Sequence, residues 1–166
     1  MGFLDLFTPK TETPTVPSVL PDQARSQILS GILPNLLPDN LLLKKGEVCH
    51  YADRAIYEKR IVDKRRVRKS TGYSVPGLFS GTRVHFGGSE YENFEDIKYR
   101  SIKGILYITS ERVVFVGGED GFDRKVKDLV AVKPYANCIE LQFTKGTLRL
   151  FVPDGSLPDM VLHMIS

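Results

Sequence analysis

The chain has 166 residues, with 42% hydrophobic and 26% charged side chains, enough for one domain with a real core plus an appendage and ordinary for a soluble globular protein. Its net charge of +3 is too mild to demand a nucleic acid or an anionic membrane as partner, so any basic surface must come from local clustering. The two cysteines, Cys49 and Cys138, stand far apart, form no Cys-x-x-Cys pair and sit in apolar or mixed runs, which favours buried reduced thiols over a disulfide framework.

The first seven residues contain Phe3, Leu4, Leu6 and Phe7, an apolar arm with no basic run before it and no small-residue cleavage site. Leu6 stands where an N-myristoylation pattern wants Ser or Thr. No segment approaches the ~20 apolar residues of a membrane span, so the expected compartment is the cytoplasm, with peripheral membrane attachment as the variant. Residues 8–21 interleave Pro9, Pro14, Pro17 and Pro21 with threonines and read as a linker with few contacts to the rest of the chain. These 21 residues form the first segment, an arm and its linker.

Residues 22–43 form the second, a helical extension. Asp22 is placed to cap a helix over 22–33, with Ala24, Ile28, Leu29 and Ile32 at helical spacing and Gly31 and Pro34 as the stop. The leucines that follow, Leu36, Leu37, Leu41, Leu42 and Leu43, need cover and should pack on the domain.

From residue 44 to 166 the texture is β. Residues 48–62 lack a clean period. Gly77, Gly81, Gly87 and Gly88 suggest bends or bulges. Residues 104–117 read as two short apolar strands folded back on each other, with Leu106 and Ile108 on one face and Tyr107 and Thr109 on the other. Further strands are expected over 122–126, 129–135, 138–144 and 147–152, and Leu157, Val161, Leu162 and Ile165 form the stripe of a short closing helix.

Gly104-x-Leu106-x-Ile108-Thr109-x-x-Arg112-x-x-Phe115-x-Gly117 resembles the central hairpin of a bacterial group of pleckstrin-homology-like or GRAM-like domains. The similarity extends to Lys44-Lys45-Gly46-Glu47-Val48-Cys49 in front and to residues 127–139 behind, about 43–152 in all. It implies a mainly β fold: a strongly bent, nearly closed antiparallel barrel with a short C-terminal helix across one mouth, here carrying an N-terminal helical extension. The ligands of that group include lipids, peptides and proteins. Its lipid-binding members often use a basic pair in the first hairpin, for which no position here can be matched.

The strongest charge feature is residues 59–69, of which seven are basic. Lys64, Arg65, Arg66, Arg68 and Lys69 are the candidate anion- or partner-binding residues. They read either as a patch for anionic lipid or an acidic peptide, or as solvated charges that keep an exposed strand edge from pairing. No aromatic residue interleaves the run, so nucleic acid is disfavoured. His50, His85 and His163 have no metal-ligand spacing, the paired glycines are not followed by Lys-Ser/Thr, and Ser70, Ser74 and Ser80 lack a nucleophile context. The expectation is a non-enzymatic adaptor without cofactor or metal, acting by protein–protein interaction or self-association through Phe3, Leu4, Leu6 and Phe7 or an exposed edge. The alternative is a peripheral module for anionic phospholipid that uses residues 59–69.

Overall fold

The computed structural model describes residues 14–76 and 83–166, with the side chains of 14–66 and 93–166. Residues 14–21 do not behave as a contact-poor linker. Val16 and Leu20 are buried, and Asp53, itself 1% exposed, accepts hydrogen bonds from the Ser18 hydroxyl and the Val19 N–H, both at 2.7 Å. The prolines set an extended backbone whose intervening apolar residues reach the core, and a buried carboxylate takes up the freed donors.

Helix α1 spans Asp22–Leu29, shorter than its expected range. Pro21 occupies the cap position without a side-chain cap bond, so Asp22 lies in the first turn rather than capping it. At the other end the Gly31 and Ile32 N–H groups bond the carbonyls of Ile28 and Gln27 at 3.0 and 2.8 Å, with Gly31 at φ 78°. This is a Schellman ending, and it needs a residue that tolerates the left-handed region. Ala24 and Ile28 are buried, whereas Leu29 and Ile32, expected on the same face, are exposed. Of the leucines after the helix, Leu36, Leu41 and Leu43 pack on a small cluster of Cys49, Tyr107 and Val114, while Leu37 and Leu42 face solvent.

Seven strands form one antiparallel sheet that does not close: β1 (Cys49–Pro76), β2 (Arg83–Thr109), β3 (Arg112–Gly117), β4 (Gly121–Lys125), β5 (Leu129–Pro134), β6 (Cys138–Phe143) and β7 (Gly146–Phe151). Their order is β4-β3-β2-β1-β7-β6-β5. Two meanders, one of four strands and one of three, thus meet where Ile56, Tyr57 and Glu58 of β1 pair with Phe151, Leu150 and Arg149 of β7. Helix α2 (Ser156–Ile165) follows and buries Leu157, Val161 and Leu162, packing on β5 and on α1.

The described residues fall into two compact units. The first comprises the described residues up to Lys59 together with Ser101–Ser166; the second is Arg60–Arg100, the ribbon formed by the later part of β1 and the earlier part of β2. Gly87 and Gly88, read as bends, lie inside β2. Gly77 and Gly81 fall outside the described residues.

The hairpin over 104–117 folds as its alternation requires. Leu106 faces Phe115 and Ile108 faces Val113 across the β2–β3 ladder, all four in the main core, while Tyr107 faces Val114 in the cluster on the opposite side of the sheet. Both sides of this hairpin are therefore covered. A Cβ on Gly104 would overlap the Val116 carbonyl and the Phe115 ring, which explains the glycine at that position. Tyr57, Phe115 and Phe122 bring β1, β3 and β4 together, with ring centroids 5.2 to 5.8 Å apart.

Thr109 and Arg112 shape the turn between β2 and β3. The Thr109 hydroxyl accepts the N–H groups of Glu111 and Arg112 at 3.2 and 3.0 Å. The Arg112 guanidinium then donates to Glu47 Oε1 at 2.8 Å, Asp123 Oδ2 at 2.8 Å and the Leu42 carbonyl at 2.7 Å. Glu47 has a fully buried side chain and also accepts the Lys44 N–H at 2.9 Å. Burial pushes its carboxyl up, but the hydrogen bonds from Arg112, Lys44 and Thr109 and the Arg112 charge outweigh that and hold it below 4.5.

Two stability measurements test this account. Leu106 is 0% exposed, so Leu106→Ala should cost about 2–5 kcal/mol in denaturant unfolding; an unchanged midpoint would remove it from the core. Arg112→Ala leaves a buried carboxylate without its cation and should cost about 3–5 kcal/mol at neutral pH. Because the native Glu47 carboxyl lies below 4.5, the stability it brings is present above that pH and lost as the pH falls through its lowered value. The gap between the unmodified protein and Arg112→Ala should accordingly narrow in acid. A gap constant from pH 7 to pH 3 would show that the pair is not its source.

Candidate interaction surface

The second unit, Arg60–Arg100, holds the basic residues that the sequence singled out and can be described by itself. Ile61, Val62, Phe94, Ile97 and Tyr99 supply β-forming side chains to both of its strands. Two strands alone offer no second layer. Val62 is 42% exposed, Phe94 45%, Ile97 47% and Tyr99 64%.

The charges are arranged by strand parity. Lys64 Nζ lies 4.0 Å from Glu95 Oε1, which places these two residues on one face of the ribbon. Alternation then puts Arg60, Val62 and Arg66 with Lys64, and Ile97 and Tyr99 with Glu95. The opposite face carries Ile61, Asp63 and Arg65 from β1 and Phe94, Asp96, Lys98 and Arg100 from β2. Arg65 Nε is 3.5 Å from Asp63 Oδ2 on that side. Lys64, Arg65 and Arg66 therefore do not converge on one groove. They divide between two faces, with Glu95 beside Lys64 and Asp63 beside Arg65. The side chains of Arg68 and Lys69 lie outside the described residues, as do Phe3, Leu4, Leu6 and Phe7.

Phe94, Ile97 and Tyr99 were not singled out by the sequence. Their signal was present as three large apolar residues within residues 93–100, but it is interleaved with Glu95, Asp96 and Lys98.

The other groups with chemical potential are tied up in the first unit. His50 Nδ1 is 2.7 Å from the Pro34 carbonyl, and His163 Nδ1 is 2.8 Å from the Asp159 carbonyl and 3.2 Å from its carboxylate. Among the described residues neither ring bonds a hydroxyl or thiol, and no group of three or more His, Cys, Asp and Glu side chains is gathered as metal ligands. Cys49 and Cys138 are buried free thiols. Burial pushes the Cys49 thiol from 9.0 up to about 11, which makes it a poor nucleophile at neutral pH. A cleft of about 930 Å³ beside the β2–β3 turn is lined by Lys44, Lys125 and Lys127 but also by Glu111 and Asp123, and its arginine, Arg112, is already engaged. No helix among the described residues is long and apolar enough to cross a membrane.

Comparisons of the chain with protein-family models, with curated proteins and with solved structures return no match.

Since Lys64, Arg65 and Arg66 are solvated, replacing all three by Gln should leave the unfolding midpoint within about 0.5 kcal/mol of the unmodified protein. A larger loss in thermal or denaturant unfolding would mean that these side chains hold the ribbon together.

Proposed function

We propose that the chain is a non-enzymatic adaptor of pleckstrin-homology-like or GRAM-like architecture, acting in the cytoplasm through protein–protein interaction, with the ribbon Arg60–Arg100 as its docking element. Two meanders meeting at β1 and β7, followed by the short helix α2, support the architecture.

One observation carries the functional reading. Val62, Ile97 and Tyr99 share one face of the ribbon and Phe94 lies on the other, all 42 to 64% exposed, and among the described residues the ribbon has two strands. A two-stranded hairpin is marginal in water, and three or more strands or a packed layer are needed to stabilise it. Exposed apolar side chains gathered on such an element fit a surface that is covered by another protein.

The peripheral-membrane reading is weaker. A flat anionic surface would be met by cations gathered on one face, and here they lie on both, with Glu95 and Asp63 beside Lys64 and Arg65.

The test uses the full chain and its Phe94→Ser/Ile97→Ser/Tyr99→Ser variant, matched for folding by circular dichroism. Immobilised on beads in an extract of the source cells, the unmodified chain should retain a protein that the variant loses, or should self-associate in sedimentation velocity where the variant does not. Flotation with vesicles containing anionic phospholipid, abolished by Lys64→Gln/Arg65→Gln/Arg66→Gln and accompanied by no variant-sensitive protein, would replace the adaptor reading with the membrane one.

A further inference from the structure

The open edge of β1 carries an inference that rests on the proposed adaptor role and names the chemistry of the partner. The β1–β7 ladder covers Ile56, Tyr57 and Glu58. Beyond it, among the described residues, β1 has β2 on one side and no strand on the other. Residues 60–66 stay in strand conformation there and are exposed, except for the half-buried Asp63. An edge of this kind presents a row of backbone N–H and C=O groups able to take another strand.

The side chains select which strand. Residues 60–66 hold Arg60, Lys64, Arg65 and Arg66 against Asp63, a net +3 over seven residues. The companion stretch of β2, residues 93–100, is balanced, with Glu95 and Asp96 against Lys98 and Arg100. Over the whole ribbon, nine Lys/Arg against five Asp/Glu leave +4, whereas the rest of the chain carries 14 against 15. The positive charge of the protein is thus concentrated on its two-stranded element. Like charges directly opposite one another destabilise a strand pair, and opposite charges support it. A second copy adding β1 to β1 would bring two such edges together and be repelled. An acidic strand would be attracted.

Parity refines the match. Arg60, Lys64 and Arg66 share a face with Val62, and the other face offers Ile61 and the Asp63–Arg65 pair. A partner strand with carboxylates at every second position and apolar side chains between them sets its acids beside the three cations and its apolar residues beside Ile61. Polyphosphate and lipid headgroups use the charge but leave the backbone edge unpaired.

We infer that the edge of β1 over residues 60–66 is a strand-addition site for an extended protein segment with alternating acidic and apolar residues.

The experiment titrates the full chain into a fluorescein-labelled peptide of alternating glutamate and valine, about ten residues long, read by anisotropy. A control peptide has proline in place of every second valine, which removes ladder donors while keeping the charge. The alternating peptide should bind with an affinity that falls as salt rises, and the proline peptide about tenfold or more weaker. Lys64→Glu/Arg66→Glu should weaken binding by a similar factor, with Lys64→Gln/Arg66→Gln as the milder variant if the first misfolds. Amide exchange at residues 60–66 should slow when the alternating peptide is added. Equal binding of the two peptides, protection confined to other residues, or no binding of the alternating peptide while an oligonucleotide or anionic vesicle holds the chain would each overturn the inference. If the peptide fails while the Phe94/Ile97/Tyr99 variant still loses a captured protein, strand addition is refuted and the adaptor reading stands. Loss of both removes the two together.

Discussion

The Arg112–Glu47 pair fixes the end of the sheet on which everything else is built. Arg112 opens β3, Glu47 precedes β1, Asp123 lies on β4 and Leu42 belongs to the leucine-rich segment after α1. One guanidinium therefore ties the segment that holds Leu42 and Glu47 to β3 and β4, with Glu47 and Arg112 65 residues apart. The Glu47 side chain is fully buried and the Arg112 side chain only 11% exposed, so neither ion can regain its water without opening this end. The Thr109 hydroxyl sets the turn that aims Arg112 inward. The Thr-x-x-Arg spacing of the hairpin motif is accordingly structural: it makes a turn and an internal cation, and Arg112 is not available as a ligand-binding arginine.

From that fixed end the two longest strands run through both units, and their surroundings change along the way. Near β7 and β3 they have strands on either side and the apolar residues between are buried, as with Tyr57, Leu106 and Ile108. Among the described residues of Arg60–Arg100 each strand has only the other. The same β-forming residue types then stand in water, and the charged ones between them maintain solubility instead of covering a core. Burial of an apolar side chain is worth about 25 cal/mol per Å². Phe94, Ile97 and Tyr99 forgo part of that in the isolated chain, and a covering partner would recover it.

How much of this could be read from the residues follows from what each stretch buries. The hairpin at 104–117, the alternation of Ile139, Leu141 and Phe143 in β6 and of Leu148 and Leu150 in β7, and the stripe of Leu157, Val161 and Leu162 in α2 were legible because each has one or two defined apolar faces. The single long strand Cys49–Pro76 was not, because alternation is a record of one buried face, and residues 60–66 are exposed apart from the half-buried Asp63. Residues 14–21 were misleading for the opposite reason. Their composition is that of a linker, and the burial of Val16 and Leu20 together with the placement of Asp53 under Ser18 and Val19 ties them down. The basic run was visible as a cluster, yet its division between two faces is a matter of parity: neighbouring residues of a strand point apart, so a dense run of cations in a strand cannot form one patch.

That geometric fact bears on how the ribbon would discriminate among anions. In a helix, Arg60, Lys64 and Arg68 would fall on one face and present a single field. In a strand the field is divided, and each half is diluted by Asp63 or Glu95 at close range. A large uniform anion gains little from such a surface, since it can engage one face at a time and meets carboxylates there. A ligand as narrow as a strand, lying along the edge, reaches side chains of both faces and the backbone between them. The arrangement of charge, more than its amount, is what favours the proposed extended acidic segment at residues 60–66.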